Sequence, residues 1–186
     1  SVVIGMAWGA TAGYLGGRTD ALMMRIVDIL YALPFMFFVI LLMVYFGRHI
    51  VLIFVAIGVV EWLDMARIVR GQAMGLKHKE FVEAARAVGT PEFTIVRRHI
   101  MPNTLGPVTV QATYICASAM ITEAILSFIG AGLPPTIPSW GNIMAEGRAL
   151  WQVKPSIVFF PALFLSITVL AVNLLGDGLR DAADPR

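Results

Sequence analysis

The stretch PSIVFFPALFLSITVLAVNLLG, Pro155–Gly176, runs for 22 residues without a charged side chain. A helix rises about 1.5 Å per residue, so a hydrocarbon core of about 30 Å is crossed by about 20 apolar residues. Two further charge-free runs, Ile29–Gly47 and Ile100–Thr122, lie upstream. Their recurrence along the chain excludes a cleaved leader as their explanation. The composition agrees: of 186 residues 58% are apolar and 14% charged, with a mean hydropathy of +0.79. A soluble domain is about 45–50% apolar and about 25% charged. A soluble enzyme, a disordered tail and a nucleic-acid-binding module are thereby excluded. The chain reads as an all-α, polytopic membrane protein.

About five spanning helices are expected. Ser1–Gly17 is apolar from its first residue and lacks an initiator Met, which suggests an N-terminally truncated chain whose first span is clipped. Its small residues, Gly5, Ala7, Gly9, Ala10, Ala12 and Gly13, suit close helix approach in lipid. Asp20–Leu33 is amphipathic, with Leu22, Ile26, Ile29 and Leu33 on one face and Asp20, Arg25 and Asp28 off it, as in an interfacial segment. The remaining spans are placed at about Pro34–Phe46, Ile50 to Trp62, Thr104–Ile129 and Pro155–Leu175. Nothing marks a linker or a repeat, so residues 1–186 are taken as one membrane domain. The lone Cys116 and the dispersed His49, His78 and His99 offer no metal-ligand spacing, and no metal is expected.

Charge placement orients the chain. Seven of its fourteen Lys and Arg fall in Ala66–His99: Arg67, Arg70, Lys77, Lys79, Arg86, Arg97 and Arg98. Three, Arg48, Arg148 and Lys154, fall in the opposing loops. Basic loops stay on the cytoplasmic side, so residues 66–103 form a cytoplasmic loop, 130–154 an outer loop and 177–186 a cytoplasmic tail.

The basic loop is punctuated as two short helices. Lys77–Val88 reads as the first, with a Lys79–Glu83 pair and an apolar edge of Phe81, Ala85 and Val88. Gly89 stands where a left-handed C-terminal cap is needed. Thr90 as N-cap and Pro91 at the first position restart a second helix, expected to stop near Ile100 before Pro102. The product is a rigid protrusion suited to a groove on a cytoplasmic partner.

Glu83-Ala84-Ala85, three residues, Gly89, then Pro102 after a twelve-residue gap resembles the EAA loop of ABC importer permeases. Arg98-His99-Ile100-Met101-Pro102-Asn103, Pro138-Ser139-Trp140-Gly141 and the run from Asn173 to Arg186 resemble the dipeptide/oligopeptide (nickel) branch. Within that branch, Pro34–Val44 and Leu52–Gly71 are most similar to C-type oligopeptide subunits. The resemblance implies a type I ABC importer (MetI-like) transmembrane fold in a bacterial inner membrane. It also implies peptide import coupled through Glu83, Ala84, Ala85 and Gly89 to two ATP-binding subunits that hold ATP and Mg. A second homologous permease, an extracytoplasmic substrate-binding protein and membrane lipid complete the implied partners; nickel or another small solute is the alternative cargo.

The chain carries no Gly-x-x-x-x-Gly-Lys-Ser/Thr loop, so ATP chemistry of that kind is expected elsewhere. No cofactor is expected in this chain. Neither a His-Glu-x-x-His pair nor a nucleophile–base constellation suggests an intramembrane enzyme. A secondary transporter would place charges in several spans. Only Glu123 is clearly intramembrane, either lining the translocation path or serving as a hydrogen-bonded structural acid. Trp140 and Trp151 read as interfacial anchors.

Overall fold

The computed structural model describes residues 1–47 and 49–183. Arg48, one of the three basic residues assigned to the outer side, and tail residues 184–186 lie outside the described residues. The described residues are helical, without strands, in the order α1 (Val2–Leu15), α2 (Gly17–Tyr31), α3 (Phe35–Phe46), α4 (Ile50–Leu76) and α5 (Glu80–Ala87). There follow α6 (Glu92–Ile95), a π-helical turn (Val96–Ile100), α7 (Met101–Asn103), α8 (Leu105–Phe128), α9 (Trp140–Gly147), a 3-10 turn (Arg148–Leu150) and α10 (Ser156–Ala183).

Two compact units arise from separated segments. The first combines Ser1–Leu33, Val59–Ala112 and the chain from Leu179; the second combines Pro34–Gly58 and Thr113–Gly178. In the first unit, α1 lies against the second half of α4 through glycine. A Cβ on Gly5 would lie 2.7 Å from the Trp62 carbonyl oxygen, one on Gly9 2.3 Å from that of Ala66, and one on Gly13 2.5 Å from that of Arg70. Three glycines spaced by four residues therefore meet three carbonyls spaced by four. This is the close approach expected from the small residues of the first segment. Beside this seam, Val27, Leu63 and Ala66 form a buried cluster with Trp8 and Trp62 against it, and the Trp8 indole N–H donates to the Met23 carbonyl at 3.2 Å.

The amphipathic α2 turns one charge, Asp20, inward, while Arg18, Arg25 and Asp28 stay exposed. Asp20 and Val27 are buried, whereas Leu22, Ile26, Ile29 and Leu33 are exposed. Such an arrangement suits a helix whose outer surroundings are apolar, as at a membrane interface. In the second unit, Val39 and Met43 of α3, Ile53, Ala56 and Ile57 of α4, Leu126 of α8 and Leu133 of the following loop form the core.

Several boundaries differ from the sequence expectation. Among the described residues, Leu105–Phe128 and Ser156–Ala182 are long and apolar enough to cross a membrane, and α2 with α3 makes a third if counted as one broken span. Helix length alone thus yields fewer than the expected five. The reasons are local: α3 has 12 residues and is about 18 Å long, α1 has 14 residues, and α4 carries Glu61, Asp64, Arg67 and Arg70 beyond its apolar half. The helix of the third expected span does not stop near Trp62 but continues to Leu76, and α10 runs past Gly176 to Ala183. No breaker interrupts either stretch: Gly71, Gly75, Gly176 and Gly178 are tolerated inside helices that packing elsewhere holds together.

Candidate functional site

The helix α5 is shorter than the expected Lys77–Val88, beginning at Glu80 with Lys79 as N-cap. Its C-terminal end is built as expected. Gly89 has φ +78°, its N–H donates to the Arg86 carbonyl at 2.9 Å, and the Thr90 N–H donates to the Ala85 carbonyl at 3.1 Å. These two bonds are the paired closure of a Schellman motif, with Ala85 three positions inside the cap and Gly89 one position beyond it. The spacing between Ala85 and Gly89 is therefore a backbone requirement. Because Thr90 serves this cap, it does not begin the next helix. Pro91 is the N-cap of α6, its carbonyl accepting from Thr94 and Ile95, in place of the expected Thr90 cap.

The apolar edge also differs from expectation. Val82 and Ala85 face inward, while Phe81 and Val88 are exposed. One clamp on the buried side joins residues 72 positions apart, which no local pattern marks: Arg86 Nε donates to the buried Tyr14 hydroxyl at 3.2 Å, and its guanidinium sits 5.1 Å from the Tyr14 ring centre. Outside the clamp, Glu83 and Ala84 are exposed, Val88 is 82% exposed and Phe93, on α6, 76% exposed. No ion pair holds Glu83 among the described residues. Three of the four expected coupling residues, Glu83, Ala84 and Gly89, thus lie on the surface, and Ala85 joins the inner face.

Pro102 does not end the helical run. A proline lacks the N–H and clashes with the carbonyl four residues before it. Here Val96–Ile100 widens into a π turn ahead of it, and the helix resumes at Met101. Side chains add hydrogen bonds on either side of Pro102: Asn103 Nδ2 donates to His99 O at 2.6 Å and Thr104 Oγ1 to Met101 O at 2.8 Å.

Beneath this protrusion, α4 is tied to α2 by charge. Arg70 grips Asp20 with two hydrogen bonds, Nε to Oδ1 and Nη2 to Oδ2, the latter at 2.6 Å, and Asp20 is 8% exposed. The hydrogen bond to Asp20 raises the Arg70 pKa above its ordinary value, outweighing the opposing effect of burial. Arg67 makes a more exposed pair with Asp28 at 2.9 Å and lies 4.4 Å from the Tyr31 ring centre. Lys77 Nζ reaches the Leu15 carbonyl at 3.4 Å, closing the end of α1.

Glu123 lies in α8, in the second unit, partly buried. Its Oε1 accepts from Ser127 Oγ at 2.6 Å, one helical turn on. With Pro138, Ser139, Trp140 and Ile143 it lines a cleft of about 290 Å³. Trp140, expected as an interfacial anchor, is half-buried and stacks on Phe164 with 6.0 Å between ring centres, whereas Trp151 is exposed. Ser139 caps α9 by accepting from the Asn142 N–H at 3.1 Å.

Residues 3–186 match the family model described as the binding-protein-dependent transport system inner membrane component. The chain is 51% identical over 186 residues to the oligopeptide transport system permease protein OppC of Haemophilus influenzae, covering 100% of this chain and 60% of that protein. It is 52% identical over 171 residues to OppC of Escherichia coli K12, covering 92% and 57%. With the dipeptide transport system permease protein DppC of Bacillus subtilis the identity is 44% over 190 residues, covering 99% and 58%. The chain thus spans less than two thirds of the length of these curated relatives. Its fold is that of a chain in the inward-facing MetNI methionine ABC transporter, with a TM-score of 0.74 at 22% identity over 99% of this chain and 89% of that one. Two permeases named for oligopeptides, one named for dipeptides, and a MetI-like helical fold agree with the resemblance carried by the Glu83–Gly89 and Pro138–Gly141 motifs. The chain belongs to the family of binding-protein-dependent transport system inner membrane components.

Proposed function

We propose that this chain is the permease subunit of an ATP-driven importer of peptides, and that the capped helix Glu80–Ala87 receives the motion of separate ATPase subunits. The observation that carries the reading is the division of this helix. Val82, Ala85 and Arg86 hold it to the rest of its unit, while Glu83, Ala84 and Val88 face outward. A helix held on one face and open on the other transmits force as a rigid body. Glu83 offers a carboxylate to a basic group of the partner, and Gly89 keeps the connection to α6 short.

Two ATP-binding subunits hold the ATP and Mg, and this chain performs no hydrolysis. A second homologous permease completes the path, because one set of these helices does not enclose a peptide. The exposed apolar face of α10, including Phe160, Phe164, Ile167 and Leu174, suits lipid or that second subunit. An extracytoplasmic binding protein delivers cargo to the outer loop. The peptide assignment is supported by the relatives named for oligopeptide and dipeptide transport. The test is uptake by the full-length chain with its partner subunits in sealed vesicles. Labelled peptide accumulates only with ATP and the binding protein present. Accumulation driven by an ion gradient without ATP would reject the proposal.

A further inference from the structure

The loop that follows α8 is fastened to that helix at both ends; Glu123 takes part in the near fastening and lines a cleft beside the far one. At the near end, Ser127 is 2% exposed and has one hydroxyl proton. Donating that proton to Glu123 leaves the oxygen lone pairs free, and one accepts the Leu133 N–H at 3.0 Å. The loop backbone presses against this hydroxyl so closely that a Cβ on Gly132 would lie 2.2 Å from Ser127 Oγ. At the far end, Gly141 leaves no room for a Cβ, which would stand 2.3 Å from the Ala124 carbonyl, and Pro138–Trp140 cover the Glu123 cleft. Between the ends, the buried Asn142 amide donates to the carbonyls of Pro134 at 3.1 Å and Ile137 at 2.9 Å.

We infer that Glu123 is a positioning residue: it fixes the Ser127 hydroxyl so that the outer loop is held in one shape, and it needs an acceptor oxygen for this, not a charge. The shape of the loop does not rest on the import reading; its consequence for uptake does. A carboxylate that met cargo would require the charge itself. Glu123→Gln keeps an acceptor for Ser127, Glu123→Leu removes it, and Ser127→Ala removes the hydroxyl itself.

The experiment compares these variants of the full-length chain in the assembled complex by hydrogen exchange across residues 130–139 and by peptide uptake. Ser127→Ala is expected to speed exchange at Leu133 about tenfold, the effect of roughly one hydrogen bond lost. Glu123→Leu speeds it less, because the freed hydroxyl can turn to a backbone carbonyl. Glu123→Gln keeps both exchange and uptake near those of the parent. The inference fails if Glu123→Gln abolishes uptake while exchange stays unchanged, which would assign the charge to the path. It fails equally if Ser127→Ala leaves exchange at Leu133 as it was. Slow exchange in every variant with uptake lost in all would refute the positioning role without touching the import reading.

Discussion

The Thr90 amide donates to the Ala85 carbonyl at 3.1 Å across Gly89, whose φ of +78° turns the chain out of α5. This bond links the last residue of the Glu83-Ala84-Ala85 triplet to the cap that ends its helix. The triplet and the glycine are therefore parts of one device: a short helix with a fixed end.

Gly89 is open to added volume: beyond its chain neighbours, no atom lies within 4 Å of where a Cβ would stand. The cost of a side chain there is conformational, about 1–2 kcal/mol for a left-handed backbone. Gly89→Ala is expected to weaken the coupling of ATPase to uptake, and Gly89→Asn to weaken it less, because Asn tolerates this region. Coupling ratios measured on the assembled complex check the order.

Gly9 behaves in the opposite way. Its φ is ordinary, but the Ala66 carbonyl stands 2.3 Å from where a Cβ would lie. Overpacking at such a seam costs about 1–3 kcal/mol. Gly9→Leu is expected to lower the thermal stability of the purified chain and its yield in the membrane, while the same change at exposed Gly75 has little effect.

The two ion pairs of α2 and α4 should separate clearly. Asp20→Asn breaks a paired, largely buried grip on Arg70, and charged hydrogen bonds of this kind contribute about 1.5–3 kcal/mol. Asp28→Asn breaks an exposed pair, for which about 0–1 kcal/mol is usual. Thermal unfolding should show a larger loss for Asp20→Asn. The raised pKa of Arg70 adds no pH dependence near neutrality: its stabilising contribution is complete below the unfolded pKa and is lost only as pH rises through the higher folded one.

Ser139 caps α9 through the Asn142 N–H. Loss of such a cap costs about 1 kcal/mol. Ser139→Ala should loosen residues 139–147 in hydrogen exchange, and Ser139→Asp should restore them.

Much of this architecture was readable from residue spacing. Glycines at positions 5, 9 and 13 announced a close helix seam, and Gly89 announced a left-handed cap. The amphipathic pattern of α2 was visible too, although which face turns inward depends on the surroundings, and only packing against Arg67 and Arg70 decides it. Other features were hidden for definite reasons. Thr90 followed by Pro91 has the pattern of a helix start, yet the preceding helix needs the Thr90 amide first. Pro102 has the pattern of a stop, yet a π turn absorbs its missing bond. Arg86 and Tyr14 are too far apart in the chain for any local pattern to pair them. Around the loop after α8, the spacing of Ser127 four residues after Glu123 and of Asn142 three after Ser139 permits local hydrogen bonds. Their partners, Leu133 and the carbonyls of Pro134 and Ile137, are irregular backbone that periodicity does not describe.

The central claim is that the exposed face of Glu80–Ala87 and its glycine cap couple this chain to ATP hydrolysis elsewhere. It is tested most directly by Glu83→Lys combined with Gly89→Val in the full-length chain, assembled with its ATPase subunits, second permease and binding protein in vesicles. The account predicts that peptide uptake is lost and that ATPase activity no longer responds to the loaded binding protein, in a complex that still inserts and assembles as the parent does. Uptake and stimulated ATPase activity at parental levels would contradict it.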